Sequence, residues 1–398
     1  MRKNIFRLFS IFIILLTIIA CKNEIREKNE LVDLLTEIKL NFAPDKRVAL
    51  FDINAIKSTK GYILTGETNL PEAIITLNEK LKEKNITFTD SIKLLPSKNL
   101  NGKTVGLVTI SVANLRSNPK HSAELATQAL LGTPVNIYKK DGSWSLIQTP
   151  DKYLAWVDSG GVEPMTLAEL ATWKSSNKII YTAIYGSTYS NPDITSQVVS
   201  DVVAGDILEL LDEDDEFYKV KYPDTREAYI NKKDAELYSD WLLKTNATQE
   251  TLVATSKKLM GLPYLWGGTS TKGVDCSGFT KTVYFLNGMV IPRDASQQVH
   301  TGEQIDDTKD FDKLVPGDLL FFGRQATDSS TEKVIHVGMW IGNNEFIHSS
   351  GQVKISSVDK EAPNFDEYNL NRYLRSKRLL KSNNGDLLNL TKTPIFNN

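Results

Sequence analysis

The chain has 398 residues, 41% of them hydrophobic, and a formal net charge of −2. That length exceeds what one core fills and predicts several compact units. Near-neutral charge without a dense Lys/Arg patch excludes an electrostatic nucleic-acid binder. Two cysteines and four histidines, with no C-x-x-C pair, leave little material for a structural zinc site.

The N-terminus reads as an export signal. Met1-Arg2-Lys3 and Arg7 are basic, and Leu8 to Ala20 is apolar but too short for a comfortable bilayer span. It ends in Ile18-Ile19-Ala20-Cys21, an apolar residue, a small one, then Cys, which resembles the bacterial lipoprotein box. The resemblance implies that residues 1–21 are a lipoprotein signal peptide whose Cys21 thiol takes a diacylglycerol. The mature protein is then exported and held at a membrane by lipid, with the periplasmic face of an outer membrane as the expected site. With Cys21 acylated, Cys276 has no disulfide partner, and an unpaired thiol outside the cytosol is a candidate reactive group.

Residues 22–100 read as a polar tether followed by a small α+β module. "RVALFDINAI" and "GYILTGET" are strand-like, and "LPEAIITLNEKLKEK" has helical spacing with Pro71 in its first turn. From 101 the texture changes to short strands and turns. The order strand, Asn-Pro turn, strand, acidic or Asp-Gly turn, aromatic strand, turn, strand occurs twice, predicting a tandem repeat of roughly 65 residues, each a small β-barrel. Both halves, 101–170 and 171–243, resemble bacterial SH3 (SH3b) domains, the first through "NLRSNPKHSAELATQALLGTPVNIY" and "GSW". "DEDDE" at 212–216 reads as a solvated turn.

Residues 244–380 form the last predicted domain. "TQETLVATSKKLM" is helical, with Gly261 as C-cap and Pro263 blocking continuation. A second helix starts near Cys276 and ends at Gly288; "KLVPGDLLFFG", "VIHVGMWIG" and "EFIHSS" read as antiparallel strands. Residues 381–398 read as a loose polar tail.

A cysteine attacks as thiolate, and a free thiol titrates near ~8.5. A helix N-terminus capped by Asp275, with small Ser277 and Gly278 behind, and a nearby imidazole are two devices that lower it. His336 and His348 are an even number of residues apart on one predicted hairpin, so an odd-length loop at Gly342-Asn343-Asn344 puts both rings on one face, and an even two-residue turn puts them on opposite faces. The proposed roles are Cys276 as nucleophile, His336 as base and His348 as the group orienting it. His121 and His300 read as surface or packing residues. Singly, each element has a structural reading; the combination points to nucleophilic catalysis.

"YLWGG", "DCSGF", "PRDASQQ", "PGDLLFF" and "HVGMWIGNNEFIH" stand in that order and together resemble the NlpC/P60 family of papain-like cysteine peptidases. The resemblance implies an α+β fold, no metal or organic cofactor, and a peptidoglycan-derived peptide as substrate. The SH3 modules in front are similar to those of γ-D-glutamyl-L-diamino-acid endopeptidases of the dipeptidyl-peptidase VI type. These release L-Ala-D-Glu from stem peptides with a free N-terminal L-Ala, in cell-wall peptide recycling. By that likeness Glu124, Tyr153, Asp275, Ser277, Asp294 and Ser296 contact substrate, the first four around its ammonium group, and Tyr264 assists the oxyanion. Diaminopimelate and lysine remain open at the third position. The expected protein is a monomer without a nucleic-acid partner. The alternative is a non-catalytic cell-wall-binding lipoprotein, but a pure binder needs no Cys/His/His set.

Overall fold

The computed structural model describes residues 30–382 and 385–398, so the signal, Cys21 and the start of the tether lie outside the described residues. The chain forms two compact units, one ending at Asn99 and one beginning at Leu100.

In the first unit Phe51–Ser58 runs antiparallel to Gly61–Thr68, which runs parallel to Phe88–Leu94. The helix Pro71–Glu83 makes the parallel crossover. Pro71 sits in its first turn, where a missing N–H costs nothing. Ala73, Leu77 and Leu81, four apart, bury one helical face among Leu31, Leu34 and Ile38 of helical residues 30–42.

The second unit opens with two seven-stranded barrels of the same connectivity. Numbering the strands of each barrel one to seven, both sheets have the order 7-1-4-5-6-2-3. Each strand of the second barrel starts 73 residues after its counterpart, from Val105 and Lys178 at the front to Val162 and Ala235 at the back. The repeat is therefore longer than the ~65 residues expected from sequence, because each barrel is followed by a short helix, Leu167–Ser175 and Tyr238–Lys244. Strand alternation carries a strand's period but not the length of the linker after it.

Behind them a six-stranded sheet has the strand order Glu303–Asp306, Tyr373–Arg378, Leu319–Arg324, Lys333–Gly342, Glu345–Ser350, Gln352–Ser357. The helix Cys276–Phe285 packs against one face, where Phe279 and Val283 meet Phe321, Val337, Met339 and Ile347. Gly278 permits that approach: a Cβ there would lie 1.9 Å from the carbonyl oxygen of Gly268.

The C-terminus is not a loose tail. Leu388–Asn389 pairs with Met289–Val290, and Leu390, Ile395 and Phe396 are buried among Leu107, Trp173, Ile207 and Trp241. These come from both barrels, both linker helices and the last domain, so the end of the chain fills the junction of three modules. Apolar residues spaced among polar ones concealed this in the sequence.

Candidate active site

Asp275 is the N-cap of the cysteine helix, and its Oδ1 accepts from the Gly278 N–H at 2.7 Å. Cys276 is thus the first helical residue, where backbone N–H groups point outward unpaired. Cys276 is buried in one cluster with Val337, the residue after His336.

The hairpin brings the two histidines together by a different device from the one expected. Its turn is the two-residue Asn343-Asn344, both with positive φ, which by itself would set the rings on opposite faces. A bulge between Trp340 and Gly342 adds one residue and restores the parity. The rings are diagonal rather than opposite: continuing the Trp340↔Phe346 register sets His348 across from Gly338. A Cβ on residue 338 would lie 2.8 Å from Phe346 Cδ2 and 3.3 Å from His348 Cβ, so that glycine clears the space through which the rings meet. His336 Nε2 and His348 Nδ1 are 2.7 Å apart.

Alternation puts Val337, Met339 and Ile347 against the helix and His336 and His348 on the other face, beside Phe322 and Phe346. The ladder between these two strands ends at Met339↔Ile347, short of Val337 and His336.

Burial sets the resting charges. It pushes the Cys276 thiol up to about 11, reinforced by the Asp275 charge and opposed by the Val337 N–H, Arg293 and the Ser277 N–H. The helix terminus therefore does not outweigh desolvation, contrary to the expectation of a lowered value. Burial also holds His336 well below the ordinary imidazole range and His348 down to about 4. The resting site is a thiol beside two neutral imidazoles. His336 engages His348 through Nε2, which leaves Nδ1 as its base.

Asp275 is more occupied than its sequence role implied. Arg293, 1% exposed, donates Nη1 to its Oδ1 at 3.1 Å and Nη2 to its Oδ2 at 2.5 Å, and Gly267 N donates to Oδ2 at 3.0 Å. With its cap bond both carboxylate oxygens are engaged, so Asp275 ties the nucleophile's helix to Arg293 and Gly267. Ser277 is similarly engaged, its hydroxyl accepting from Arg293 Nη1 at 3.0 Å. Arg293 also donates Nε to Thr127 Oγ1 of the first barrel at 3.0 Å. Sequence reasoning missed it, although an Arg beside the "DAS" of its own motif was a signal.

The first barrel roofs this site. Tyr153 donates its hydroxyl to Asp294 Oδ2 at 3.2 Å, Trp266 Nε1 donates to Glu124 Oε1 at 2.7 Å, and Lys281 of the cysteine helix pairs with Asp151. Gly267, at φ +80, is pressed so closely to the barrel that a Cβ would lie 2.2 Å from the Leu125 carbonyl oxygen. Ser296 lies half-buried in the short helix Ala295–Gln298 that follows Asp294. The Tyr264 phenol is pushed up to about 12 by burial and then by Cys276 and Asp275, so it keeps a proton to donate. His121 packs at 5.0 Å from Trp144, and His300 is exposed, both away from this cluster. Two further groups, Ser356 and Asp366, stand behind His348; no sequence spacing marked them.

A cysteine on a helix packed against the sheet that carries two paired histidines, with barrels docked in front, is the arrangement of a cysteine hydrolase. Residues 261–369 match the NlpC/P60 family, 115–162 the bacterial dipeptidyl-peptidase Sh3 domain, and 189–236 the bacterial SH3 domain. A γ-D-glutamyl-L-lysine dipeptidyl-peptidase of Bacillus cereus is 34% identical over 57% of this chain and 67% of its own length. Dipeptidyl-peptidase 6 of Lysinibacillus sphaericus is 28% identical over 65% of this chain and 93% of its own. The crystal structure of an NlpC/P60 family protein from Bacillus cereus covers 69% of this chain and 99% of its own with TM-score 0.59 and 27% identity. The chain belongs to the NlpC/P60 family of cysteine peptidases, with two bacterial SH3 domains ahead of the peptidase domain.

Proposed function

We propose that this peptidase hydrolyses the γ-D-glutamyl–diamino acid bond of peptidoglycan stem peptides that carry a free N-terminal L-Ala, releasing L-Ala-D-Glu. The observation that carries the chemistry is the 2.7 Å contact between His336 and His348, with Val337, the residue after His336, buried in one cluster with Cys276. Cys276 attacks the γ-carbonyl as His336 Nδ1 takes its proton. Tyr264 and the Cys276 N–H stabilise the oxyanion. The imidazolium protonates the leaving amine, and water activated by the same ring hydrolyses the thioester.

Restriction to a free amine is supported by the barrel. Glu124, Asp294 and Tyr153 lie where it meets the peptidase domain, and the single charge of Arg293, which pairs with Asp275 and reaches Asp294 at 3.7 Å, does not offset Asp275, Asp294 and Glu124 together. An α-ammonium desolvated there requires such charge. The repeat supplies an internal comparison: 73 residues on, the second barrel has Gln197 for Glu124 and Arg226 for Tyr153, neither of which suits a cation. The name of the Bacillus cereus relative agrees with a γ-D-glutamyl dipeptidyl-peptidase activity, and that of the Lysinibacillus sphaericus relative with a dipeptidyl-peptidase. The export signal and Cys21 support a lipid-anchored protein facing the periplasm from an outer membrane, where released wall peptides are available for recycling.

The test compares L-Ala-γ-D-Glu-diaminopimelate with its N-acetylated form. Cleavage of the free peptide alone supports the reading; equal cleavage of both removes the amine requirement, and cleavage of neither removes the substrate.

A further inference from the structure

We propose that Asp366, acting through Ser356, is a positioning residue for the reaction: it anchors the far nitrogen of His348 and so keeps Nδ1 of His336 unprotonated and turned to Cys276. The proposal rests on the peptidase reading above.

The geometry of donors and acceptors allows one direction. For His336 to take the thiol proton on Nδ1, its neutral ring must carry hydrogen on Nε2. That hydrogen then points at His348 Nδ1, 2.7 Å away, which must be an acceptor. His348 therefore carries its own hydrogen on Nε2. Beyond it, His348 Nε2 lies 3.1 Å from Ser356 Oγ and 3.8 Å from Asp366 Oδ2. In this row the Ser356 hydroxyl proton is assigned to the Asp366 carboxylate, whose Oδ2 stands at the same His348 nitrogen, so that the hydroxyl's lone pairs accept from His348. The row runs His336, His348, Ser356, Asp366, and it ends on a group that only accepts. Were His348 protonated on Nδ1 instead, two N–H groups would face each other across 2.7 Å.

Asp366 is held in its ionised form and in place. Burial opposes ionisation, but the Asn369 N–H at 3.0 Å and the Asn369 side-chain amide at 2.6 Å keep the carboxyl below its ordinary range. Arg372 in turn fixes the Asn369 carbonyl oxygen, through Nη2 at 2.7 Å and Nε at 3.0 Å. Of the charged groups facing His348, Lys354 sits directly across the ladder and Arg372 lies nearby; both are cations, and Asp366 is the anion. As the S–C bond forms, the carbonyl electron pair moves to oxygen and the thiol proton moves to His336 Nδ1. No proton passes further. The cation on His336 keeps its Nε2–H on His348, and the Asp366 charge offsets it through two intervening groups.

Asp366 also N-caps the helix Glu367–Asn371, so a purely structural role is the competing explanation. Asp366→Asn retains a capping oxygen and removes the charge; Ser356→Ala breaks the row without touching the cap; Asp366→Glu is the conservative partner. Three readouts are used: nitrogen-15 imidazole NMR, the rate of Cys276 alkylation by iodoacetamide against pH, and kcat and KM on L-Ala-γ-D-Glu-diaminopimelate. The wild type is expected to show His348 protonated on Nε2 alone. Asp366→Asn is expected to show a mixed tautomer, with alkylation and kcat both reduced about 10- to 100-fold at unchanged KM. Ser356→Ala should move the same way, and Asp366→Glu should recover part of the loss. Wild-type His348 protonated on Nδ1 would overturn the proposal. So would an Asp366→Asn protein whose tautomer, alkylation and kcat match wild type and whose thermal unfolding alone has moved. If the wild type cleaves no peptide, the peptidase reading fails, and the NMR and alkylation results still decide the role of Asp366.

Discussion

Arg293 and Asp275 meet in a buried two-point ion pair, with Nη1–Oδ1 at 3.1 Å and Nη2–Oδ2 at 2.5 Å, one residue before the nucleophile. The same guanidinium reaches Ser277 and, across the domain boundary, Thr127. The pair therefore ties the cysteine helix to the barrel that roofs it.

Arg293→Ala leaves Asp275 buried and without its counter-ion, a loss of about 3–5 kcal/mol. Chemical denaturation should show it directly. Arg293→Lys should recover only part, because one ammonium cannot span both carboxylate oxygens, Ser277 and Thr127 together.

Gly338→Ala should damage catalysis through the histidines. Its Cβ would press on Phe346 Cδ2 at 2.8 Å and His348 Cβ at 3.3 Å. The expected stability loss is about 1–3 kcal/mol, with kcat reduced at least tenfold as the 2.7 Å His–His contact is disturbed. Steady-state kinetics on folded protein separates the two effects.

Acidification should weaken both fold and activity in a defined window. The unfolded chain protonates His348 near pH 6.5, the folded one only at about 4. The unfolded state therefore binds more protons between those values, and stability falls as pH drops through them, by up to about 3 kcal/mol. For the same reason the histidines stay neutral well below pH 6.5, and kcat/KM should hold its plateau through pH 6 and decline only toward about pH 4. Urea unfolding and a pH–rate profile check the two halves.

Phe396→Ala tests the C-terminal seal. The ring is 2% exposed and packs on Tyr238 and Phe285, so its loss should cost about 3 kcal/mol. Calorimetry should find a lower Tm, with Cys276 alkylation unchanged at temperatures where the protein remains folded.

Tyr153→Phe removes the hydroxyl that donates to Asp294 at 3.2 Å while keeping the ring in the barrel core. Stability should change by only about 1 kcal/mol. KM for the free-amine tripeptide should rise more than kcat falls.

Much of this was legible in the sequence because the strongest signals are local. The Asp275 cap, the Cys276 helix, the repeat of Asn-Pro turns and the alternation around His336 each follow from a few neighbouring residues. What escaped was non-local or sign-dependent. The bulge at Ile341 that returns His348 to the face of His336 leaves no mark in composition. Arg293 stood unremarked inside "PRDASQQ" until the fold set it against Asp275. The competition between the helix terminus and burial at Cys276 is a difference of opposing effects, and only the packed structure gives its sign. Residues 385–398 hid three apolar anchors among polar neighbours.

Mass-spectrometric product analysis of wild type and Cys276→Ala on L-Ala-γ-D-Glu-diaminopimelate tests the central claim most directly. Wild type should yield L-Ala-D-Glu and free diaminopimelate through a transient acyl adduct on Cys276, and the variant should show no turnover. Equal turnover by Cys276→Ala, or wild-type scission at the Ala–Glu bond instead, would contradict it.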